Sequence, residues 1–572
     1  MKIKHLFGLA VIAAMTASCS SNEDLGTAGP GTGTNETGVG YATFTINLPS
    51  VSGTRAADAG GAEMDEGTAK EYAVKSATAL IFQKYGSDEG SCKFVESVDL
   101  PTAAADWTDD TTVGITTTKK LVAKLTNVDT KNQYYVLVLL NNNNKTGGVK
   151  VALPTVGQSY NEWNSQILTP SVDDLAADND FYMANAPLKG TASPTTLVTI
   201  DKEHIYSSKE KAEAGTSAAT VYVERGVAKM SVNDPKTKTV IDKATNTSTQ
   251  STVEFNNWAL DITNRKTYAV HNIDDLSTDF PDIWTTPRFI GTNSRVYWGK
   301  DPNYNLDNLN TGKEAERERE FNFIKATSGI NKTFTESAYC LENTFNLANM
   351  YQGQTTRVIF KATYTPKDDA GTPLAEQDGT FYTIGNMTTI LKEADLKKAV
   401  DAAATSVLSG CTVDYYTNLK TEGSHVITLT DIKDPTGKTL VADTVYSGMT
   451  GTQIVKEIND KLGLKAGRPE EMVGINTYLG GVTYYIARVK HFGLLTPWSS
   501  GESYGTDNDK YLGRYGMLRN NWYELNVGNV YGPGYPGVPP VDPNQPDDEN
   551  EKYLSVSVKI LSWAKRSDTV DL

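Results

Sequence analysis

Tyr41-Ala42-Thr43-Phe44-Thr45-Ile46-Asn47-Leu48 alternates Ala42, Phe44, Ile46 and Leu48 with tyrosine, threonine and asparagine. A period of two is the signature of a β-strand that buries one face. The same pattern returns at the far end of the chain, where Leu554, Val556, Val558 and Ile560 alternate with Ser555, Ser557 and Lys559. The first of these strands is followed shortly by Arg55, in the small-residue stretch from Val51 to Gly61, and solvated loops of this kind are preferred sites of proteolysis. The second ends near the free terminus. A chain that can lose its first strand and offer its last to a neighbour can polymerise.

Outward from these two strands, residues 1–18 read as an export signal. Lys2 and Lys4 give a basic start, and Leu6 to Met15 form an apolar core too short to span a bilayer. Thr16-Ala17-Ser18-Cys19 resembles a bacterial lipobox, which implies cleavage before Cys19 and acylation of its thiol and new amine, with palmitate as a typical chain. The alternative is an ordinary small-residue cleavage site with Cys19 incidental. The formal net charge of −15 argues against a nucleic-acid partner. With Cys19 set aside, Cys92, Cys340 and Cys411 are far apart and odd in number, so they are expected to be buried thiols and not a disulfide framework.

Residues 19–40 form a Gly/Thr-rich tether without a core-forming pattern. Residues 41–55 hold the first strand and the processing loop. Strand-like runs then recur at 74–82, 117–125, 134–140, 196–200 and 221–232, and again at 253–262, 295–298, 357–364, 380–384, 425–429, 483–490 and 522–527. Thr389–Leu408 and Thr452–Leu462 carry helical periodicity. The fold class is therefore mostly β: two β-sandwich domains, 56–217 and 218–531, with a few short helices in loop insertions. Residues 532–552 form a Pro-rich, acidic linker. The six prolines in 532–546 predict an extended spacer, about 45 Å long at about 3.1 Å per residue. Residues 553–572 hold the last strand, which the spacer would project toward another subunit and leave disordered in an isolated precursor; the alternative is an ordinary spacer to a final strand that folds back into its own domain.

Between Arg55 and Arg225 lie fourteen lysines and no arginine. An arginine-specific enzyme cutting at Arg55-Ala56 would find no competing arginine in the first domain. The cut would release Phe44, Ile46 and Leu48 with the displaced strand, and leave the edge of a sheet open to strand addition by Leu554, Val556, Val558 and Ile560 of another copy.

Catalytic patterns are thin. Gly501-Glu502-Ser503-Tyr504-Gly505 matches a nucleophile-elbow spacing but has no strand before it or helix after it. His204, His271, His425 and His491 have no paired ligand spacing and read as exposed or hydrogen-bonded structural residues. The Asp301–Asp307 segment has oxygen-bearing side chains at alternate positions but lacks the Gly and Glu of a calcium loop, so it reads as a turn, with a bound calcium ion as the alternative. No enzyme, metal or cofactor is expected.

The lipobox-like start through Cys19, Gly53-Thr54-Arg55-Ala56, Val223-Glu224-Arg225-Gly226-Val227-Ala228-Lys229, Tyr339-Cys340-Leu341-Glu342-Asn343-Thr344, Leu518-Arg519-Asn520-Asn521-Trp522-Tyr523 and the C-terminal Leu554–Leu561 together resemble the fimbrillins of type V pili, in particular the Mfa-like shaft subunits of minor fimbriae in Bacteroidia. The resemblance implies two transthyretin-like β-sandwiches of Greek-key topology. It further implies a lipidated outer-membrane precursor, cleavage after an arginine by an arginine-specific or trypsin-like protease, and donor-strand exchange into a cell-surface fimbrium that supports adhesion. The implied partners are other copies of the chain and the fimbrial anchor and tip subunits. The alternatives are a non-polymerising surface lipoprotein that binds glycans, or a tip or accessory adhesin.

Overall fold

The computed structural model describes residues 33–34, 38–48, 67–102, 108–109, 117–129, 131–143, 147–189, 194–281, 296, 298–306, 312–415, 417–465, 471–492, 498–499, 508–547 and 554–562. Cys19, Arg55 and Ala56 lie outside these residues. No described helix is long and apolar enough to cross a membrane.

The first domain is a mostly β sandwich built on seven principal strands: β1 (Gly40–Asn47), β2 (Ala77–Gln83), β3 (Lys93–Leu100), β4 (Thr117–Leu125), β5 (Tyr134–Leu140), β6 (Met183–Asn185) and β7 (Ala219–Arg225). Their spatial order is β3-β2-β5-β6-β7-β1-β4. The two ends of this series meet where the Glu96 carboxylate on β3 accepts hydrogen bonds from Thr126 N and Asn127 N, just past β4, at 3.0 and 2.9 Å. That contact curls the sheet over one core, in which Leu80, Phe82, Val136, Leu137, Leu139, Phe44 and Ile46 are buried. The near-continuous apolar run of β5 fits its place between strands on both sides.

The second domain arranges β8 (Ala228–Val232), β9 (Thr237–Asp242), β10 (Thr247–Asp261), β11 (Ala338–Cys340), β12 (Arg357–Thr365), β16 (Val482–Arg488) and β17 (Asn521–Val530) in the order β11-β8-β17-β9-β10-β12-β16. A last strand, β18 (Leu554–Ser562), pairs with β17. Three smaller strands complete the numbering: β13 (Phe381–Ile384), β14 (Gly423–His425) and β15 (Ile475–Tyr478). The second core is separate and holds Met230, Val253, Trp258, Phe360, Tyr485 and Leu525.

Three features depart from the sequence expectation. The run 221–232 is two strands in different sheets, so the chain crosses between domains at Gly226-Val227 and not at residue 217. The crossing is tight: a Cβ on Gly226 would lie 2.8 Å from the Tyr182 ring. Second, the segment between β12 and β16 has a core of its own, made by Leu396, Val400, Ile427, Ile432, Ile454 and Ile458. The helices Glu393–Val407 and Gly451–Lys461 (here α4 and α5, after the short helical turns Ala69–Tyr72, Lys209–Ala214 and Glu314–Glu320 as α1 to α3) supply much of it, near the positions that periodicity indicates; α5 starts from a Thr450–Gln453 capping box. Because β12 and β16 pair directly, this third unit is an insertion in a hairpin. The third departure concerns the linker, described below. Cys92, Cys340 and Cys411 are buried free thiols, as expected.

Candidate strand-exchange site

β1 occupies the interior of its sheet, not an edge. It pairs antiparallel with β4 from Gly40↔Leu125 to Asn47↔Thr118, and parallel with β7 from Phe44↔Ala219 to Asn47↔Tyr222. Ala42, Phe44 and Ile46 are fully buried and Leu48 nearly so. The opposite face is covered as well. Thr43 Oγ1 donates to Ala212 O (2.6 Å) at the end of the short helix Lys209–Ala214, Thr45 and Ser217 hydroxyls lie 2.7 Å apart, and Thr118 Oγ1 donates to Asn47 Oδ1 (2.7 Å). The threonines that read as solvent-facing are thus capped by a helix and a loop. Loss of β1 would uncover hydrogen-bonding groups on two flanking strands, which makes the expected open edge a two-sided slot.

The C-terminal strand is seated in its own domain. β18 pairs antiparallel with β17, with Leu554 opposite Val530, Val556 opposite Val527, Val558 opposite Leu525 and Ile560 opposite Tyr523. The expectation of an extended spacer leading to a disordered tail is corrected here. Residues 531–547 lie along the second domain. Tyr485 and Tyr478 hydroxyls donate to Gly532 O and Gly534 O (2.8 and 3.0 Å), and Tyr535 exchanges both main-chain bonds with Tyr484. Arg357 Nη2 donates to Pro539 O (2.7 Å) and Thr355 Oγ1 to Asp547 Oδ2 (2.5 Å). Proline-rich backbone keeps its carbonyl acceptors, and the domain supplies phenol, guanidinium and hydroxyl donors along its path. Gly534, at φ +69°, permits the closest approach, since a Cβ there would lie 2.5 Å from Tyr484 O. Burial pushes the Asp547 carboxyl up to about 7 against the opposing influence of Arg488 and Thr355.

Three of the motif segments, 223–229, 339–344 and 518–523, converge on the junction between the two sandwiches. Glu71, on the helical turn Ala69–Tyr72 that follows the processing loop, accepts from Lys229 Nζ (2.7 Å), Tyr339 OH (2.6 Å) and Thr68 N (2.7 Å). Its carbonyl accepts from Arg225 Nε at 2.9 Å. Burial raises the Glu71 pKa, but Lys229 and the hydroxyl and amide donors outweigh it and hold the carboxyl below its ordinary value. Lys229 Nζ also sits 3.7 Å from the centroid of the Trp522 ring on β17. Alongside, His271 Nδ1 meets Glu224 at 2.8 Å and Arg519 Nε meets Glu342 at 3.3 Å. The sequence marked these segments as a set, and their shared location is what it left unsaid.

His204 and His491 are hydrogen-bonded to Asp201 and Tyr523 at 2.9 and 2.8 Å. The buried Asp301 side chain accepts from Asn303 N, Thr344 N and Asn264 Nδ2, each at 2.6 Å. Among the described residues no three His, Cys, Asp or Glu side chains are grouped to hold a metal. The Gly501–Gly505 segment and Asp307 lie outside the described residues.

Residues 476–569 match the family model of the major fimbrial subunit protein type IV, fimbrillin, C-terminal. The match covers β15, β16, β17, the docked linker and β18. The chain is similar in structure to a candidate cell adhesion protein of Parabacteroides distasonis at 10% identity and a TM-score of 0.36, covering 92% of this chain and 99% of that one. It is similar also to one of Bacteroides eggerthii at 11% identity and a TM-score of 0.33, covering 95% and 99%. A fimbrial assembly protein of Parabacteroides distasonis is similar at 11% identity and a TM-score of 0.26, covering 61% of this chain and 93% of that one. No curated protein matches the chain.

Proposed function

We propose that this chain, whose C-terminal region belongs to the fimbrillin family, is a shaft subunit of a cell-surface fimbria. In this reading it is exported as a precursor lipidated at Cys19 and held at the outer membrane. It is cut between Arg55 and Ala56, and polymerises when Leu554, Val556, Val558 and Ile560 of one subunit replace Phe44, Ile46 and Leu48 of the next. The observation that carries the reading is the interior position of β1, the one strand of its sheet that a cut after Arg55 would separate from the rest of the chain. A sheet so opened has two unpaired flanks and demands a replacement strand.

The burial of most described arginines supports restricted processing; Arg288, Arg295, Arg468 and Arg566 lie outside the described residues. Among the described residues, Arg225, Arg317, Arg357, Arg488, Arg514 and Arg519 are buried, and Arg265 and Arg319 are exposed. Arg319 lies within the helix Glu314–Glu320, and Arg265 follows directly on a strand paired with Phe321–Asn322. Helices and paired strands do not fit a protease cleft without local unfolding. After the cut, the Glu71 cluster would keep the new N-terminal segment fixed to the junction while β1 leaves.

The test is to treat the purified precursor with an arginine-specific protease and follow SDS-resistant ladders. They should appear in the full chain and be absent from a chain ending at residue 552. The N-terminus of the polymer should be Ala56. Ladders that form equally well without residues 553–572 would refute the donor assignment.

A further inference from the structure

Among the described residues, Tyr85 is the one aromatic side chain left exposed, at 65%. The chain holds 29 tyrosines, 15 phenylalanines and 8 tryptophans, so this exception calls for an account. Tyr85 sits on the loop between β2 and β3, at the rim of an open recess of about 350 Å³. That volume is at the lower end of the roughly 300–1,000 Å³ typical of small-molecule sites. Asp88, Lys93 and Asn161 share the recess.

The polar groups around the ring are held in place yet keep hydrogen-bonding capacity. Asp88 Oδ1 accepts from Ser91 N at 2.8 Å, which fixes the carboxylate and leaves Oδ2 for another donor. The Ser91 hydroxyl donates back to Tyr85 O and closes the loop. Glu89 ties the same loop to the neighbouring segment by accepting from Thr196 N (2.7 Å) and Leu197 N. Lys93 Nζ stands 5.9 Å from the Tyr85 ring centroid and 3.8 Å from Glu162. The Asn161 carboxamide offers both a donor and an acceptor.

An exposed ring beside a carboxylate, a carboxamide and an ammonium group suits a ligand with one apolar face and a rim of hydroxyls. A pyranose has this character: its axial C–H groups can lie on an aromatic face while its hydroxyls both donate and accept. Lys93 is offset by Asp88 and Glu162, so the site does not select for an anion. We propose that the β2–β3 recess binds a neutral hexopyranose, with Tyr85 as the stacking platform and Asp88, Asn161 and Lys93 engaging its hydroxyls.

The site shares no residue with β1 or β18, so it is tested on the uncleaved, monomeric full chain, and its outcome is independent of strand exchange. Methyl glycosides of glucose, galactose and mannose serve as probes in saturation-transfer NMR and titration. At least one should bind. Tyr85→Ala should weaken that binding by about tenfold, the scale of a lost aromatic contact. Tyr85→Phe should keep it within about threefold, and Asn161→Ala should weaken it with the melting temperature unchanged. Absence of binding by all three probes, or equal binding by Tyr85→Ala, overturns the proposal.

Discussion

Phe44→Ala tests the central step, the release of β1. Phe44 is fully buried between β4 and β7 and belongs to the first core. Truncation of a buried phenylalanine costs about 3–5 kcal/mol. The first domain therefore gives up a large share of a stability that is only about 5–15 kcal/mol for a typical domain. In the intact precursor the loss appears as a lower melting temperature and no more, because β1 is covalently held. After cleavage β1 is held only by its ladders and its buried side chains. If half of the lost contact energy lowers the barrier to departure, about 2 kcal/mol, release accelerates by roughly thirtyfold. The assay is the rate of ladder formation after a rapid, complete cut at Arg55, measured at a temperature where the variant remains folded. The expected result is faster laddering from a less stable precursor. An unchanged or slower rate would show that the departure of β1 does not limit assembly, and a ladder in which each subunit retains residues 41–48 would refute the exchange itself.

Lys229→Met should destabilise the domain junction by about 3–5 kcal/mol, because it leaves the Glu71 carboxylate buried without its ion-pair partner. The double variant Glu71→Gln/Lys229→Met should recover part of that loss, and a double-mutant cycle in urea measures it. Asp547 should make stability depend on pH. Its folded pKa, about 7, lies above the unfolded value near 3.8, so its contribution is complete below the unfolded value and is lost as pH rises through 7. The change amounts to at most about 4 kcal/mol. Asp547→Asn should flatten the decline in stability between about pH 4 and 7 and preserve the docked linker at pH 7 and above, as limited proteolysis of residues 531–547 would report. Finally, residues 386–473 should be removable. Ile384 pairs with Ile475, and Gly385 N donates to Gly474 O at 2.7 Å, so an Asn-Gly turn can close β13 onto β15. The shortened chain should fold and still form ladders; loss of the second domain's unfolding transition would show that the insertion is integral.

The strands that sequence reading located well are those whose pattern has a single cause. β4 and β5 occupy the expected residues: Leu121, Ala123 and Leu125 recur at every second position in one, and a near-continuous apolar run fills the other. The run 221–232 misled because β-propensity is blind to which sheet a strand joins. Only the pairing of Ala219–Arg225 and Ala228–Val232 into different sheets shows that the chain changes domain there. β1 was legible as a strand but not as an interior one, because Thr43 and Thr45 are polar and their covering helix lies far along the chain. The helices α4 and α5 were legible too. Their partner was not, since periodicity gives the apolar face and says nothing of what meets it.

Composition was least informative in the linker, and the reason bears on assembly. A proline-rich segment is stiff in isolation because its main chain is solvated. Along the second domain that solvent is replaced by the hydroxyls of Tyr478, Tyr485 and Thr355 and the guanidinium of Arg357. β18 then continues the sheet beside β17. For strand exchange this arrangement has a direct consequence. A donor strand seated in its own domain gives up its one ladder with β17 and gains ladders on both flanks of the β1 slot, so only part of the new pairing is a net gain. The driving force must come from the acceptor. An emptied β1 slot exposes two strand flanks and the cavity of Phe44, Ile46 and Leu48, whereas the space beside β17 borders one paired strand. Filling three such apolar sites is worth roughly 4–9 kcal/mol. On these terms an uncut precursor has no slot to fill and keeps β18 at home, and cleavage alone, by creating the deeper vacancy, gives the strand a reason to leave.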